Sequence, residues 1–332
     1  ISAEVTAALD RGDTHYPPNN GRPALREALS AYMGDAGLTF SADEVILTDG
    51  ATEALSATFM AMLNPGDEVI IPTPAFGLYE SIVVANHAQA VFLDTEPAQF
   101  QIDENALRAC VTPATKAIVI CSPNNPTGDV APRDFVAALC DACPGMVMVD
   151  EAYVEFADDS FGAATTAQGL IAEHPNLVIL HTLSKAFGAA GTRLGYVIAA
   201  PEVIDVFAAI RQIYSVNVLS QAAALACVRA RDAYAPVVAQ VASERERELC
   251  ALRAMAAEGL PVEAWPSAAN FVLVRTPHAT RVRERLRDEY SILVRDFSYA
   301  PGLADCLRIT AGTPQENDEV LAAFAALVKE EM

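Results

Sequence analysis

Seven short apolar runs, near residues 45–47, 69–71, 91–93, 117–121, 146–149, 177–180 and 196–199, recur along the first two thirds of the chain, separated by helix-length segments. Runs such as Met146-Val147-Met148-Val149 and Leu177-Val178-Ile179-Leu180 are apolar at every position, the pattern of strands buried on both faces. Strand and helix in alternation predict an α/β fold with a mostly parallel seven-stranded sheet covered by helices. Past about residue 215 the character changes. Val241 to Glu248 is rich in charge and reads as an exposed helix face. Three short apolar runs follow, Asn270 to Val274, Ile292 to Arg295 and Cys306 to Thr310, and predict a smaller α+β domain. The expected division is a large domain over 35–215 and a discontinuous small domain of 1–34 with 216–332.

Polar residues stand where the large-domain strands end. In open α/β sheets those ends face the ligand crevice. Lys185 follows the sixth run within His181-Thr182-Leu183-Ser184-Lys185, with Arg193 shortly after. An amine among hydroxyls and a guanidinium suits a Schiff-base nucleophile for an aldehyde cofactor, with Thr182, Ser184 and Arg193 holding a phosphate. Asp150, followed by Tyr153, ends the fifth run, and Asn125 follows the fourth in Asn124-Asn125-Pro126-Thr127-Gly128. A carboxylate there keeps a pyridine nitrogen protonated, so that the ring acts as an electron sink; Tyr153 and Asn125 can donate to its phenolic oxygen. Thr48-Asp49-Gly50-Ala51-Thr52 leads from the first run into a helix, and Ala51 and Thr52 offer backbone N–H groups to a phosphate. Phe76 can stack on the ring. Each group has an ordinary alternative: a helix cap for Asp150, an Asn-Pro turn for Asn125, a core aromatic for Phe76. Their occurrence together at the ends of several strands favours a pyridoxal 5'-phosphate site.

With these motifs the chain resembles the class I/II aminotransferases of pyridoxal-phosphate fold type I, over nearly its whole length from Tyr16 to Asn317. The resemblance implies that Lys185 binds the cofactor and moves the α-proton, that Asp150 pairs with the ring nitrogen, and that Asn125 and Tyr153 bind the phenolic oxygen. It further implies a homodimer with shared active sites, in which Tyr16 reaches the neighbour's cofactor phosphate. Arg308, between Leu307 and Ile309, matches the arginine that holds a substrate carboxylate, by the bidentate fit of a guanidinium. Arg295 and the segment Cys306-Leu307-Arg308-Ile309-Thr310-Ala311-Gly312 lean toward the histidinol-phosphate aminotransferase branch, where two arginines help bind a phosphate. Phe76 departs from that branch, which often carries Tyr there.

Composition narrows the partners. Forty-three acidic against 22 basic residues give a formal charge of −21, which disfavours nucleic-acid and anionic-membrane surfaces. No apolar run approaches the length of a membrane span. Seven scattered cysteines read as free thiols of a reducing, cytoplasmic setting, and the five histidines show no metal-ligand spacing. The chain begins at Ile1, and its native start is expected to lie upstream. The expected reaction is transfer of an amino group between a small amino donor, best matched by histidinol phosphate, and 2-oxoglutarate. The alternatives are an aromatic or aliphatic amino-acid aminotransferase, a threonine-phosphate-type decarboxylase, and the ligand-sensing domain of a transcription regulator, which would carry a basic DNA-binding extension.

Overall fold

The computed structural model of the protein describes residues 1–34, 37–38, 40–158 and 160–331. The seven runs form the seven strands β1 (Val45–Asp49), β2 (Glu68–Thr73), β3 (Gln89–Asp94), β4 (Thr115–Cys121), β5 (Met146–Asp150), β6 (Leu177–Thr182) and β7 (Leu194–Ala199). Their spatial order is β1-β7-β6-β5-β4-β2-β3. Only β7 runs against its neighbours β1 and β6; β6, β5, β4, β2 and β3 pair in parallel. The entrance of β7 therefore lies at the same rim as the exits of the others.

Period-two alternation divides the buried side chains between the two faces of the sheet. Val147, Val149, Leu177 and Ile179 join one apolar cluster, while Met148, Val178 and Leu180 join another on the opposite face. Asp150 and Thr182 continue the second set, and Glu151 and His181 the first, which decides what each can meet.

The second sheet has four antiparallel strands in the order β10 (Arg295–Asp296), β11 (Cys306–Thr310), β9 (Phe271–Arg275) and β8 (Glu263–Ala264). β8 was not expected from the sequence, and β10 is shorter than the run Ile292 to Arg295 suggested. Helices α9 (Arg231–Ala257), α10 (Ala279–Tyr290) and α11 (Pro314–Glu330) enclose the core of this unit through Leu249, Leu252, Val282, Leu286, Phe324 and Leu327. α11 starts with a capping box, Thr313 and Glu316 each bonding the other's backbone N–H, which satisfies two donors a helix start leaves open.

One further detail departs from the sequence reading. Val241 to Glu248 is not wholly an exposed face: Arg245 is buried and donates to the carbonyls of Phe156 at 3.0 Å and Ala269 at 2.9 Å, and Glu248 is fully buried. Here α9 passes under both units, so its charges are enclosed. The division into 35–215 and 1–34 with 216–332 we retain as a proposal, and its boundary residues Asp35 and Met332 lie outside the described residues. Locally, however, α2 (Pro23–Gly34) and α8 (Val218–Arg229) turn Leu25, Leu29, Ala224 and Val228 into the large-sheet cluster.

Candidate active site

Following the sheet order along the rim sets out the candidate residues one strand at a time. Gly50 to Thr52 leave β1 as the start of helix α3 (Gly50–Met62), Arg193 enters β7, Thr182 to Lys185 leave β6, Asp150 ends β5, Asn125 follows β4, and Phe76 follows β2. Neighbouring strands lie about 4.8 Å apart, so the set lines one rim of the sheet.

At the first end, Ala51 and Thr52 carry first-turn N–H groups that have no partner within the helix. Gly50 has φ +66°, and a Cβ there would come within 2.4 Å of Arg193 Nη2. The guanidinium thus lies directly over the helix start, where only glycine leaves room. Arg193 itself is left-handed at φ 52°, and its carbonyl accepts from the Gly50 N–H at 3.1 Å, fixing the β7 entrance against the helix. Its Nε also sits 3.5 Å from Asp49 Oδ1, with both side chains about half exposed; such a pair is worth little and leaves the guanidinium available to an anion. Thr182 and Ser184 stand next to it. The Thr182 hydroxyl donates to the Leu194 carbonyl at 3.0 Å and lies 2.8 Å from Ser184 Oγ. Thr182 therefore braces Ser184, whose hydroxyl is the more accessible of the two.

Lys185 Nζ lies 5.1 Å from the centre of the Tyr153 ring. Partial burial, then the positive charge of Arg308, hold its ammonium below the usual lysine range, while Asp150 pulls the other way. A lysine easier to deprotonate is a better nucleophile and proton carrier. Asp150 is buried, and burial pushes its carboxyl pKa up, favouring the neutral form. Its Oδ2 accepts from the Tyr79 hydroxyl at 2.7 Å and its Oδ1 from the Ala152 N–H at 3.1 Å.

Tyr153 is buried edge-to-face against Phe271 at 5.2 Å. Burial pushes its phenol up to about 12, the Arg308 charge opposing, so it remains a hydroxyl donor. Asn125 Oδ1 accepts from Arg308 Nη1 at 2.6 Å, a bond that does not use the donors of its amide N–H₂. The Arg308 guanidinium is held between Phe271 and Phe297, 4.6 and 5.5 Å from their ring centres, and its buried Nε has no partner among the described residues. Arg295 stands directly opposite it on the neighbouring strand, and this second positive charge works against the first. Among the described residues no ion pair offsets either arginine. Like charges held side by side are unfavourable without an anion between them.

Phe76 is about 40% exposed and meets Tyr79 edge-on at 5.7 Å, at the cleft mouth. Tyr16 stands apart from this cluster: 84% exposed, it stacks on Tyr214 at 4.7 Å.

The sequence reading missed two things. One is Tyr79, three residues after Phe76 on helix α4 (Leu78–Ala85). The other is the pair behind the rim, where Glu151 and His181 meet at 2.9 Å, both buried. Burial is the largest single influence and opposes the charge of His181, but Glu151, Glu155 and Asp150 together outweigh it and raise the imidazole above its ordinary range. The alternation of side chains along β5 and β6 was the available signal for this pair; for Tyr79 there was none.

A buried carboxylate with a hydrogen bond on each oxygen, a lysine over the Tyr153 ring that feels its charge, an arginine over a glycine at a helix start and an orphaned guanidinium nitrogen fit pyridoxal phosphate and an anionic substrate. Fold and site thus define a pyridoxal-phosphate-dependent enzyme of fold type I. The sequence pattern described as aminotransferase class I and II matches residues 1–324. Histidinol-phosphate aminotransferases of Ruminiclostridium cellulolyticum and Cytophaga hutchinsonii are 34% and 36% identical to the chain, covering 93% and 95% of it and 83% and 86% of those proteins. Among solved structures, an aspartate aminotransferase mutant of Thermus thermophilus superposes with a TM-score of 0.83 at 29% identity, covering 98% of this chain and 92% of that one. The histidinol-phosphate aminotransferase of Sinorhizobium meliloti, in complex with pyridoxal-5'-phosphate, superposes at 0.84 with 25% identity, over 99% and 87%. The chain belongs to the aminotransferase class I and II family, and pyridoxal phosphate is its cofactor. Among the described residues, no helix is long and apolar enough to cross a membrane.

Proposed function

We propose that this aminotransferase takes its amino group from histidinol phosphate and passes it to 2-oxoglutarate. The observation that carries the choice of donor is the cross-strand pair Arg295 and Arg308. Two adjacent, uncompensated guanidinium groups suit a phosphate dianion better than the single carboxylate of an ordinary amino acid. The names of the relatives at 34–36% identity point the same way. In the return half-reaction the same pair would take a carboxylate of the 2-oxo acid.

Pyridoxal phosphate, when bound, supplies an aldehyde to take up the amino group and an electron-withdrawing ring beside the substrate Cα. The roles proposed for this chain's residues follow from their places. Ala51, Thr52, Ser184 and Arg193 bind the cofactor phosphate, with Thr182 bracing Ser184. Phe76 covers the ring, and Asp150 holds the ring-nitrogen proton. Asn125 and Tyr153 direct hydrogen bonds to the phenolic oxygen. Lys185 Nζ binds the cofactor at rest and carries the α-proton of the donor during reaction, its lowered basicity matching that task. Arg308, clamped by two aromatic rings, orients the substrate; Arg295 adds the second charge.

We further propose that two copies form a homodimer in which Tyr16 contributes to the neighbouring site. Its support is that Tyr16 is 84% exposed in one copy, while Ile213 and Tyr214 beside it are also exposed apolar surface.

The test is a panel of amino donors with 2-oxoglutarate: histidinol phosphate, histidinol, phenylalanine, aspartate and threonine phosphate. Preference for histidinol phosphate over histidinol, lost in Arg295→Ala, supports the reading. Preference for a non-phosphorylated donor that Arg295→Ala leaves unchanged overturns it, and release of carbon dioxide from threonine phosphate replaces transamination by decarboxylation.

A further inference from the structure

Asp150 is in an unusual position for a group that must stay negatively charged. It is enclosed by β4, β5 and α4, and burial is the largest influence on its acidity, favouring the neutral form. A carboxyl that kept its own proton would be a poor partner for a protonated pyridine nitrogen. The largest opposing influence is the hydroxyl of Tyr79, then the Ala152 N–H, then the charge of His181. The Tyr79 side chain is 1% exposed, and its hydroxyl is spent on Asp150 Oδ2 at 2.7 Å. The bond joins residues far apart in sequence, from the first turn of α4 to the last residue of β5.

The surroundings leave this hydroxyl one sensible proton assignment. Burial and the neighbouring Asp150 drive the Tyr79 phenol well above its ordinary range, so it is protonated and donates. Cys121, beside Asp150 in the β4–β5 register, is held as a thiol at about 12 by burial and by the same carboxylate. A thiol is a weak donor and cannot replace the phenol. The Tyr79 ring is fixed by the apolar cluster on that face of the sheet and by the edge of Phe76, so it offers Asp150 a single geometry. With one oxygen tied to the backbone of Ala152 and the other to Tyr79, rotation of the carboxylate is restrained.

We propose that Tyr79 is a positioning residue of the cofactor site: its buried hydroxyl holds Asp150 in the orientation and charge state that grip the ring nitrogen of pyridoxal phosphate. This rests on the assignment of Asp150 to the ring nitrogen made above. Tyr79 touches neither substrate nor reacting atoms and acts through Asp150 alone.

The experiment is equilibrium dialysis of the apoenzyme with pyridoxal phosphate, alongside nitrogen NMR of cofactor labelled at the ring nitrogen. It compares wild type, Tyr79→Phe, Asp150→Asn and the double variant. Losing one hydrogen bond to a charged group should weaken cofactor binding by roughly 10-fold in Tyr79→Phe and shift the nitrogen signal toward the unprotonated form. Asp150→Asn should do more, and the double variant should match Asp150→Asn alone, because the hydroxyl then has no carboxylate to act on. Tyr79→His, which returns a ring N–H donor, should recover part of the loss; it also serves if Tyr79→Phe fails to fold. Binding within two-fold of wild type and an unmoved nitrogen signal in Tyr79→Phe, with Asp150→Asn impaired, would overturn the role of Tyr79. Effects that multiply in the double variant would overturn it too, since Tyr79 would then act by packing. Unimpaired binding in Asp150→Asn would instead remove the assignment of Asp150 on which the proposal stands.

Discussion

The rim of the large sheet and the β10–β11 pair of the small sheet both present charge to the cleft, but they hold it differently. On the rim several groups are braced locally: Asp150 by Tyr79 and Ala152, Ser184 by Thr182, and Arg193 by its backbone bond to Gly50. Across the cleft Arg308 and Arg295 have each other as neighbours, and Arg308 is held by two rings and Asn125. A site whose groups are braced in advance suits a resident cofactor, which must find the same geometry every turnover. A site left with uncompensated positive charge suits a substrate that comes and goes as an anion. On the proposed assignments, permanence and exchange are divided between the two sheets.

The comparison can be broken first at Lys185. Lys185→Ala should lower the transamination rate by at least about 10³-fold and remove the visible absorption of bound cofactor; retention of both would take the lysine out of its role. The next largest effect belongs to the small sheet. Arg308→Ala should reduce kcat/KM by about 10²-fold or more, as expected on losing a charge-assisted fork, while cofactor affinity measured by dialysis stays near that of the wild type. A loss of cofactor instead would erase the division between the sheets. Arg295→Ala should reduce kcat/KM for a phosphorylated donor by about 10-fold and leave its unphosphorylated counterpart almost unchanged.

The smallest effect is one of stability and lies away from the cleft. Glu248 is fully buried on α9, its carboxylate oxygens have no partner among the described residues, and burial raises its pKa to about 7. The folded state therefore holds a proton that the unfolded chain releases near the ordinary glutamate value, so this residue makes stability fall as pH rises from about 4.5 to about 7. Glu248→Gln should melt about 2–4 °C above the wild type at pH 8 and no higher at pH 5, as followed by circular dichroism. An equal gain at both values would separate the effect from ionisation.

The two regions also differ in how far the sequence revealed them. A parallel strand ends in the crevice by the geometry of the fold, so Lys185, Asp150 and Asn125 could be placed from apolar runs and the polar residues after them. Arg308 could be placed on a strand, but its neighbour across the ladder depends on register, which a two-residue strand such as β10 barely signals. Tyr79 was invisible for a different reason: its bond to Asp150 spans two elements, and its apolar surroundings on α4 look like ordinary helix packing. Arg245 and Glu248 were misread because charge was taken as exposure, whereas α9 crosses beneath both units and encloses them. Tyr16 was singled out only through the family resemblance, and within one copy it has no role beyond its stack on Tyr214.

The most direct measurement is a crystal structure of the protein with pyridoxal phosphate and histidinol phosphate. The expected result places the ring nitrogen against Asp150, the cofactor phosphate under Arg193 at the start of α3, and the donor phosphate between Arg295 and Arg308. A ring nitrogen turned away from Asp150, or a donor phosphate lodged on the large-sheet rim with the two arginines idle, would contradict the division of labour between the sheets.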